Sequence, residues 1–350
     1  MKILLNLPDY RHIHGGVTNH FVGLRPYWRG DVRYNRIGKR REGWPGMLWL
    51  PYDYAKFVML NIFTRPDVVM LNPSFNRKSW LRDMMFLRLA RLTGRRVAVM
   101  FHGWTHDYVS SLDPLKVARL LNKASVIYVL ASEFREQLRW TGVKTPIELT
   151  TTKVADGMLE GFDINTRRGR MRNFLFMARV LREKGIMETM RLFKHIEQAY
   201  PDATLTVAGD GADLNMAKDA CSLLSLRNVR FTGHIQGDEL SALMRRSDAY
   251  ILPSYSEGMP TSVLEAMAFG LPVLTRPVGG LKDFFEDGRM GIMTESLDPA
   301  EYWRLLRPLM DDPERVAAIS RYNHSYAVEH FMASKVAQSL EESMTKHCGK

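Results

Sequence analysis

Two glutamates, Glu257 and Glu265, stand in PSYSEGMPTSVLEAMAFGLPVL with seven residues between them, a glycine and then a methionine and proline following the first. Two cations, Arg179 and Lys184, lie upstream in ARVLREKG. These residue types suit one kind of ligand. A carboxylate accepts hydrogen bonds from sugar hydroxyls. A guanidinium grips phosphate oxygens in a fork, and an ammonium acts on them as a point charge. A molecule with both hydroxyls and a diphosphate would use all four. Judged alone, a glutamate after a strand is usually solvated, and so is a pair of cations on a loop.

The elements that must position them read as follows. AYILPS, from Ala249 to Ser254, is an apolar run that ends in Pro and Ser, as a buried strand does at a loop. Thr261 to Ala268 has Val263, Leu264, Met267 and Ala268 at helical spacing, and Pro260 suits a first turn because a helix start has no use for that N–H. Glu257 then sits on the strand-to-helix loop and Glu265 about two turns along the helix. The free N–H groups of such a helix start favour anions at the carboxyl end of a parallel sheet. FLFMA leads into the loop of Arg179 and Lys184, closed by Gly185 ahead of another helix.

Strands TLTVA and NVRFTGHI and a helix near Asp238 to Arg245 continue an alternation that implies a parallel sheet wrapped by helices. The first half alternates more loosely: Lys2 to Leu7, then Gly15-Gly16 ahead of a helix from Val17, then PDVVMLN, then VAVMFHGWTHD, then SVIYVLAS with Ser132 placed to cap a helix. Paired glycines let a backbone approach a ligand. His102 precedes Gly103 at a strand end, although a lone histidine there is more often structural. Residues 30–56 resist assignment. The fold class is α/β, with two Rossmann-like doubly wound domains facing across a cleft. The first spans 1–165 and the second 166–330, with the polar run TRRGRMRN at the boundary and a terminal helix, 331–350, packing back on the first.

Length and charge agree with two domains of ordinary size. The chain has 350 residues and a net charge of +11. Residues 1–165 hold 25 Lys and Arg against 14 Asp and Glu, and residues 166–350 hold 24 of each. The first half therefore faces an anionic partner or simply gains solubility. Asn76 to Arg96 is a basic amphipathic segment, either a crossover helix or one that rests on anionic lipid. Two distant cysteines, no signal peptide and no spanning segment point to the cytoplasm, with an anionic membrane surface as a second partner.

The segments FMARVLREKG, TVAGDGADL, VRFTGHI, AYILPSYSEGMPTSVLEAMAFGLPVL and VGGLKD occur in this order between residues 173 and 293. Together they resemble the donor-binding domain of the family 4 glycosyltransferases, retaining enzymes of the GT-B fold. The first half resembles that family less closely, through Gly15-Gly16, MFHG and LASEF. TTTKVAD departs from the family's usual Asn-Gly-Val-Asp near residue 150, so no role is assigned there.

The resemblance implies that Arg179 and Lys184 hold the donor diphosphate and stabilise the leaving charge. It implies that Glu257 contacts the transferred sugar, with Gly258, Met259 and Pro260 lining the pocket and Thr261 near the phosphates. Glu265 would bind the ribose, and the main chain near Ile235 the base. Gly15 and Gly16 would approach the diphosphate, and His102 the donor sugar and attacking hydroxyl. The substrate would be a UDP or GDP sugar, with no cofactor, and the acceptor a glycan or lipid-linked glycan in cell-surface polysaccharide synthesis. No Asp-x-Asp occurs, so a metal clamp on the diphosphate is not indicated. Other classes are a nucleotide-sugar epimerase of the same fold and a basic nucleic-acid-binding protein. A dehydrogenase is disfavoured because GDGADL lacks the third glycine of a dinucleotide fingerprint.

Overall fold

The computed structural model describes residues 1–8, 15–38, 40 and 45–349. Two compact units emerge: Met1–Lys153 with Ala333–Lys350, and Val154–Met332. The first unit holds strands β1 (Lys2–Leu7), β2 (Asp31–Arg36), β3 (Val68–Leu71), β4 (Ser74–Phe75), β5 (Arg96–Met100), β6 (Gly103–Trp104), β7 (Val126–Val129) and β8 (Ile147–Leu149). Its helices are α1 (Gly16–Leu24), α2 (Leu50–Thr64), α3 (Arg77–Leu92), α4 (His106–Ser111), α5 (Pro114–Leu121) and α6 (Ser132–Trp140). Six of the strands form a parallel sheet in the order β2-β1-β3-β5-β7-β8, and β4 pairs with β6 beside it. VVML and VIYV are buried at every position, as in a sheet covered by helices on both faces.

The second unit holds β9 (Asn173–Met177), β10 (Thr204–Ala208), β11 (Val229–Gly233), β12 (Ala249–Leu252), β13 (Val273–Thr275) and β14 (Gly291–Met293). Between and after them run α7 (Ile186–Ala199), α8 (Leu214–Leu223), α9 (Asp238–Arg246), α10 (Thr261–Ala268), α11 (Pro299–Met310) and α12 (Pro313–His330). The strand order is β11-β10-β9-β12-β13-β14, all parallel. In sequence order that is 3-2-1-4-5-6, the doubly wound arrangement whose direction of winding reverses between the first and fourth strands, here β9 and β12. Its core is a continuous apolar cluster that includes Phe174, Phe176, Ile251, Leu252, Val263 and Met267.

The border between units falls at Lys153/Val154, not near residue 166. Val154 bridges to Met332, and its N–H donates to the Phe331 carbonyl at 2.7 Å. Phe162 meets Phe269 edge-on. Arg167, inside the polar run that reads as a linker, donates to the carbonyls of Phe269, Ser247 and Met244, and burial pulls its pKa down to about 10. The stretch is therefore a strap on the second unit. The last helix, α13 (Ala333–Cys348), belongs to the first unit and packs on α1, β5 and β7.

Smaller differences have local causes. Residues 30–56 contain β2 and the start of α2. Helix α1 begins at Gly16, with Gly15 as N-cap. Ser132 opens α6, and Ala131 is the N-cap. Pro260 is the N-cap of α10 rather than its first residue. Helix α3 packs on β3 and β5 of the first sheet, as a crossover helix does, and buries Trp80, Met84 and Leu87, with Phe86 edge-on to Tyr54 and Phe57 of α2. No helix among the described residues is long and apolar enough to cross a membrane.

Candidate functional site

The carboxyl edge of the second sheet carries the expected residues of that unit. Arg179 and Lys184 follow β9, and Glu257 to Thr261 follow β12, so they flank the point where the winding reverses. Ile235 follows β11, two strands from β9, which at a strand spacing of about 4.8 Å is roughly 10 Å away.

Backbone contacts stitch the two central loops together. The Glu183 carbonyl accepts from Tyr255 N at 2.8 Å and from Ser254 Oγ at 3.1 Å. Gly185 ends the 3₁₀ turn of Arg182–Lys184 with φ at +76°, and a Cβ there would overlap the Pro253 carbonyl. Only glycine meets both demands. This stitching sets Lys184 Nζ 2.8 Å from Glu257 Oε1, with the two side chains 14% and 12% exposed. The expected phosphate cation and the expected sugar-binding carboxylate therefore neutralise each other. A charge-assisted bond at this burial is short and directional, and losing either partner would leave the other without its counter-charge in a poorly hydrated site.

Arg179 is placed differently. Its guanidinium is 72% exposed and only 3.8 Å from Glu183, which is 61% exposed. Such a surface pair contributes little, so Arg179 can leave it for a ligand at small cost.

Helix α10 starts beside the ion pair. Its N-cap, Pro260, is buried, has no N–H, and makes no side-chain cap. Gly258, Met259, Thr261 and Glu265 are partly accessible. The Tyr250 hydroxyl lies 2.7 Å from both the Met177 carbonyl and Ser262 Oγ, which pins the helix start to the end of β9. Burial raises the Tyr250 pKa far above its usual value, and the charges of Glu257 and Glu265 push the same way. The phenol stays protonated, and both glutamates act on one point.

Two supports carry no signal in a reading of charges. Gly279 follows β13 with φ at +53°, and a Cβ there would overlap the carbonyl oxygens of Glu257 and Gly258. Gly280 N–H donates to the Gly258 carbonyl at 2.8 Å. Arg276 donates to the carbonyls of Ser254 and Glu295 and lies over the Tyr255 ring. The only trace in the sequence is the paired glycine just after a strand.

In the first unit, Gly15 has φ at +93°, and a Cβ at Gly15 or Gly16 would meet open space. The residues just before them, 9–14, lie outside those described. His102 follows β5, and its Nε2 is 3.4 Å from Asn72 Oδ1. The Asn72 amide nitrogen donates to the Asn6 carbonyl at 3.0 Å, which turns Oδ1 toward the imidazole. Nε2 then carries the proton and Nδ1 keeps its lone pair. Burial drives the His102 pKa down to about 3. The neighbouring His20 is buried too, and neither of its ring nitrogens has a hydrogen-bond partner among the described residues. Its pKa is lowered by burial first, then by His102 and Lys153.

A cavity of about 410 Å³ lies at the other edge of the second sheet, between Arg168, Arg170, Arg172, Asp202 and Asp248. Asp202 pairs with Arg170 and Arg172, and Asp248 accepts from the Arg172 and Asn173 backbone. Those groups brace the amino ends of β9, β10 and β12.

Residues 160–325 match the family described as Glycosyl transferases group 1. Among curated relatives, the glycogen synthase of Mycobacterium tuberculosis is 35% identical over 140 residues, 40% of this chain and 34% of that protein. The D-inositol 3-phosphate glycosyltransferase of an Arthrobacter species is 31% identical over 187 residues, 46% of this chain and 44% of that one. The chain thus spans between a third and a half of the length of these relatives. Among solved structures, Anabaena Alr3699/HepE in complex with UDP and glucose aligns over 99% of this chain and 100% of its own, with a TM-score of 0.71 and 16% identity. That likeness shows the fold, two Rossmann-like sheets of the GT-B kind.

Proposed function

We propose that this chain is a retaining glycosyltransferase that moves a sugar from a nucleoside diphosphate sugar, of UDP or GDP type, to a glycan or lipid-linked acceptor. The observation that carries the reading is the Lys184–Glu257 pair at the reversal point of a 3-2-1-4-5-6 sheet, beside a helix start without a side-chain cap. The match over residues 160–325 and a structural neighbour crystallised with UDP and glucose support it.

In this mechanism the bond from the anomeric carbon to the diphosphate breaks ahead of attack, through an oxocarbenium-like state; the acceptor oxygen then bonds to that carbon and its proton passes to the departing phosphate oxygen. Negative charge grows on the leaving phosphate. Lys184 is already oriented toward it by Glu257, Arg179 swings in from the surface, and the N–H groups of Thr261 and Ser262 at the start of α10 add a preorganised field. Glu257, through its remaining oxygen, accepts from a sugar hydroxyl. Glu265, one and more turns further on, holds the ribose, and the main chain at Ile235 meets the base. In the first unit His102 is neutral with a free Nδ1 lone pair, so it accepts from a hydroxyl and does not add positive charge. The proposed setting is polysaccharide assembly at the cytoplasmic face of the membrane.

The test is a thermal-shift screen of UDP, GDP and their sugars, because a ligand that binds only the native state raises its stability. The expected result is a shift with one diphosphate family, followed by transfer that persists in EDTA and gives a product of unchanged anomeric configuration. Interconversion of donor sugars without any acceptor would move the reading to an epimerase. The absence of a shift with every nucleotide would remove it.

A further inference from the structure

Helix α2 is inside out. The residues it buries are Asp53, Phe57 and Asn61. The face it turns to solvent carries Tyr52, Met59, Ile62 and Phe63, with Phe63 77% exposed. Asp53 accepts from Gly38 N–H at 2.7 Å and pairs with Arg40, and the Asn61 amide donates to the Phe57 carbonyl. Asp53 and the Asn61 amide nitrogen are therefore partnered, while Asn61 Oδ1 has no hydrogen-bond partner among the described residues. Of the outer side chains, Tyr52 lies under the Arg40 guanidinium, and Met59, Ile62 and Phe63 are exposed. A helix on a water-soluble sheet has the opposite pattern. Just ahead of it, Met47 and Leu48 are exposed as well. Helix α3 packs against α2 and adds Leu81, Met85 and Leu92, which fall with Arg88 on one helical stripe. Exposed apolar side chains gathered on two packed helices mark an interaction site.

Charge selects the occupant. Arg77, Lys78, Arg88 and Arg91 are exposed on α3, and Arg65 is exposed just after α2. The one acid of α3, Asp83, is buried and paired with Arg82 at 2.6 Å. Apolar side chains fringed by cations fit the boundary between acyl chains and anionic headgroups, where the rings and aliphatic groups sink in and the cations stay with phosphate. A second copy of the same basic surface would bring like charges together. We propose that the α2–α3 face docks this chain on an anionic lipid bilayer, with Met59, Ile62 and Phe63 as the inserting side chains. The surface lies wholly in the first unit and works without sugar nucleotide, so its failure would leave the transfer chemistry standing, and the reverse.

The experiment is co-sedimentation of the full chain with vesicles of phosphatidylcholine alone and of phosphatidylcholine mixed with phosphatidylglycerol. Binding is expected to the mixed vesicles, to weaken as salt rises, and to exceed binding to neutral vesicles about tenfold or more. Ile62→Asp with Phe63→Asp should abolish it, while the circular-dichroism spectrum and unfolding temperature stay as in the parent chain, since both side chains are exposed. Trp140→Asp, at an equally exposed apolar residue on α6, should bind like the parent. Three results would each overturn the proposal: no binding to either vesicle, equal binding by the double aspartate variant, or a dimer in solution that the double variant dissolves.

Discussion

At the scale of single residues the ion pair makes a division that charge alone would not. Lys184 and Glu257 are mostly buried together, whereas Arg179 stands in water. Replacing either cation with alanine should slow turnover by about 10²-fold, as removal of an oxyanion donor does. Their stabilities should part. Lys184→Ala leaves a carboxylate without its partner and should cost about 1–3 kcal/mol in denaturant unfolding. Arg179→Ala should leave stability unchanged. A Lys184→Met, Glu257→Gln double variant should recover stability relative to the sum of the singles but not turnover, the mark of direct coupling. Equal stability losses at the two cations would contradict this placement. The histidines of the first unit give a second residue-scale test. Both are held neutral in the fold, His102 with a pKa of about 3. The unfolded chain therefore binds more protons below about pH 6.5, and the stability these groups confer is intact above that pH and lost as pH falls toward 3. Urea unfolding between pH 7 and 4 should show stability falling by up to ~1.4 kcal/mol per pH unit for each histidine. His20→Asn should flatten that slope. A slope unchanged by the substitution would place the proton uptake elsewhere.

At the scale of elements, the second unit was readable because its strands are short apolar runs ending at Gly, Pro or Ser, and its helices bury one stripe. The first unit hid β2 and α2 for opposite reasons. DVRYNR is a polar edge strand whose inner positions are only partly covered. LPYDYAKFVMLNIFT places Asp53 and Asn61 inward beside Phe57 and leaves Tyr52, Met59, Ile62 and Phe63 outward, so periodicity points the wrong way. The four charged candidate residues could be picked from loop and helix positions, but the pairing of Lys184 with Glu257 across 73 residues could not. Nor could the support from Gly279, because a glycine's contacts belong to the neighbour that presses on it. That support makes a prediction. Gly279→Ala must strain a backbone at φ +53° and push back the carbonyls of Glu257 and Gly258. It should cost about 1–3 kcal/mol and raise the KM for donor as Glu257 moves. Gly161→Ala is the control: its φ of +66° is just as demanding, but a Cβ there meets open space and the residue lies outside the candidate site. It should lose stability with an unchanged KM. If both glycine variants keep the parent KM, the Gly279 contact does not position the site.

At the scale of the whole chain, the units are interleaved in sequence, and this is why their border is not legible in composition. A polar, arginine-rich run looks like a linker until Arg167 is seen bound to three carbonyls of the second unit. The last helix returns to the first unit and locks there: Glu341 is buried and accepts from the backbone N–H groups of Arg29 and Gly30, and Glu148 receives both Ser343 and His347. The candidate donor residues after β9 and β12 all lie in the other unit. Ligand and tail should therefore act on different unfolding events. In scanning calorimetry, UDP at about a hundred times its dissociation constant should add ~2.7 kcal/mol to the second unit alone. Glu341→Ala orphans two backbone N–H groups and should lower the first unit's transition by about 1–3 kcal/mol. The nucleotide shift should survive that substitution intact. A single transition moved by both perturbations would mean that the two sheets melt as one cooperative body, and that a ligand bound at the β9–β12 reversal point is felt as far as the chain's last helix.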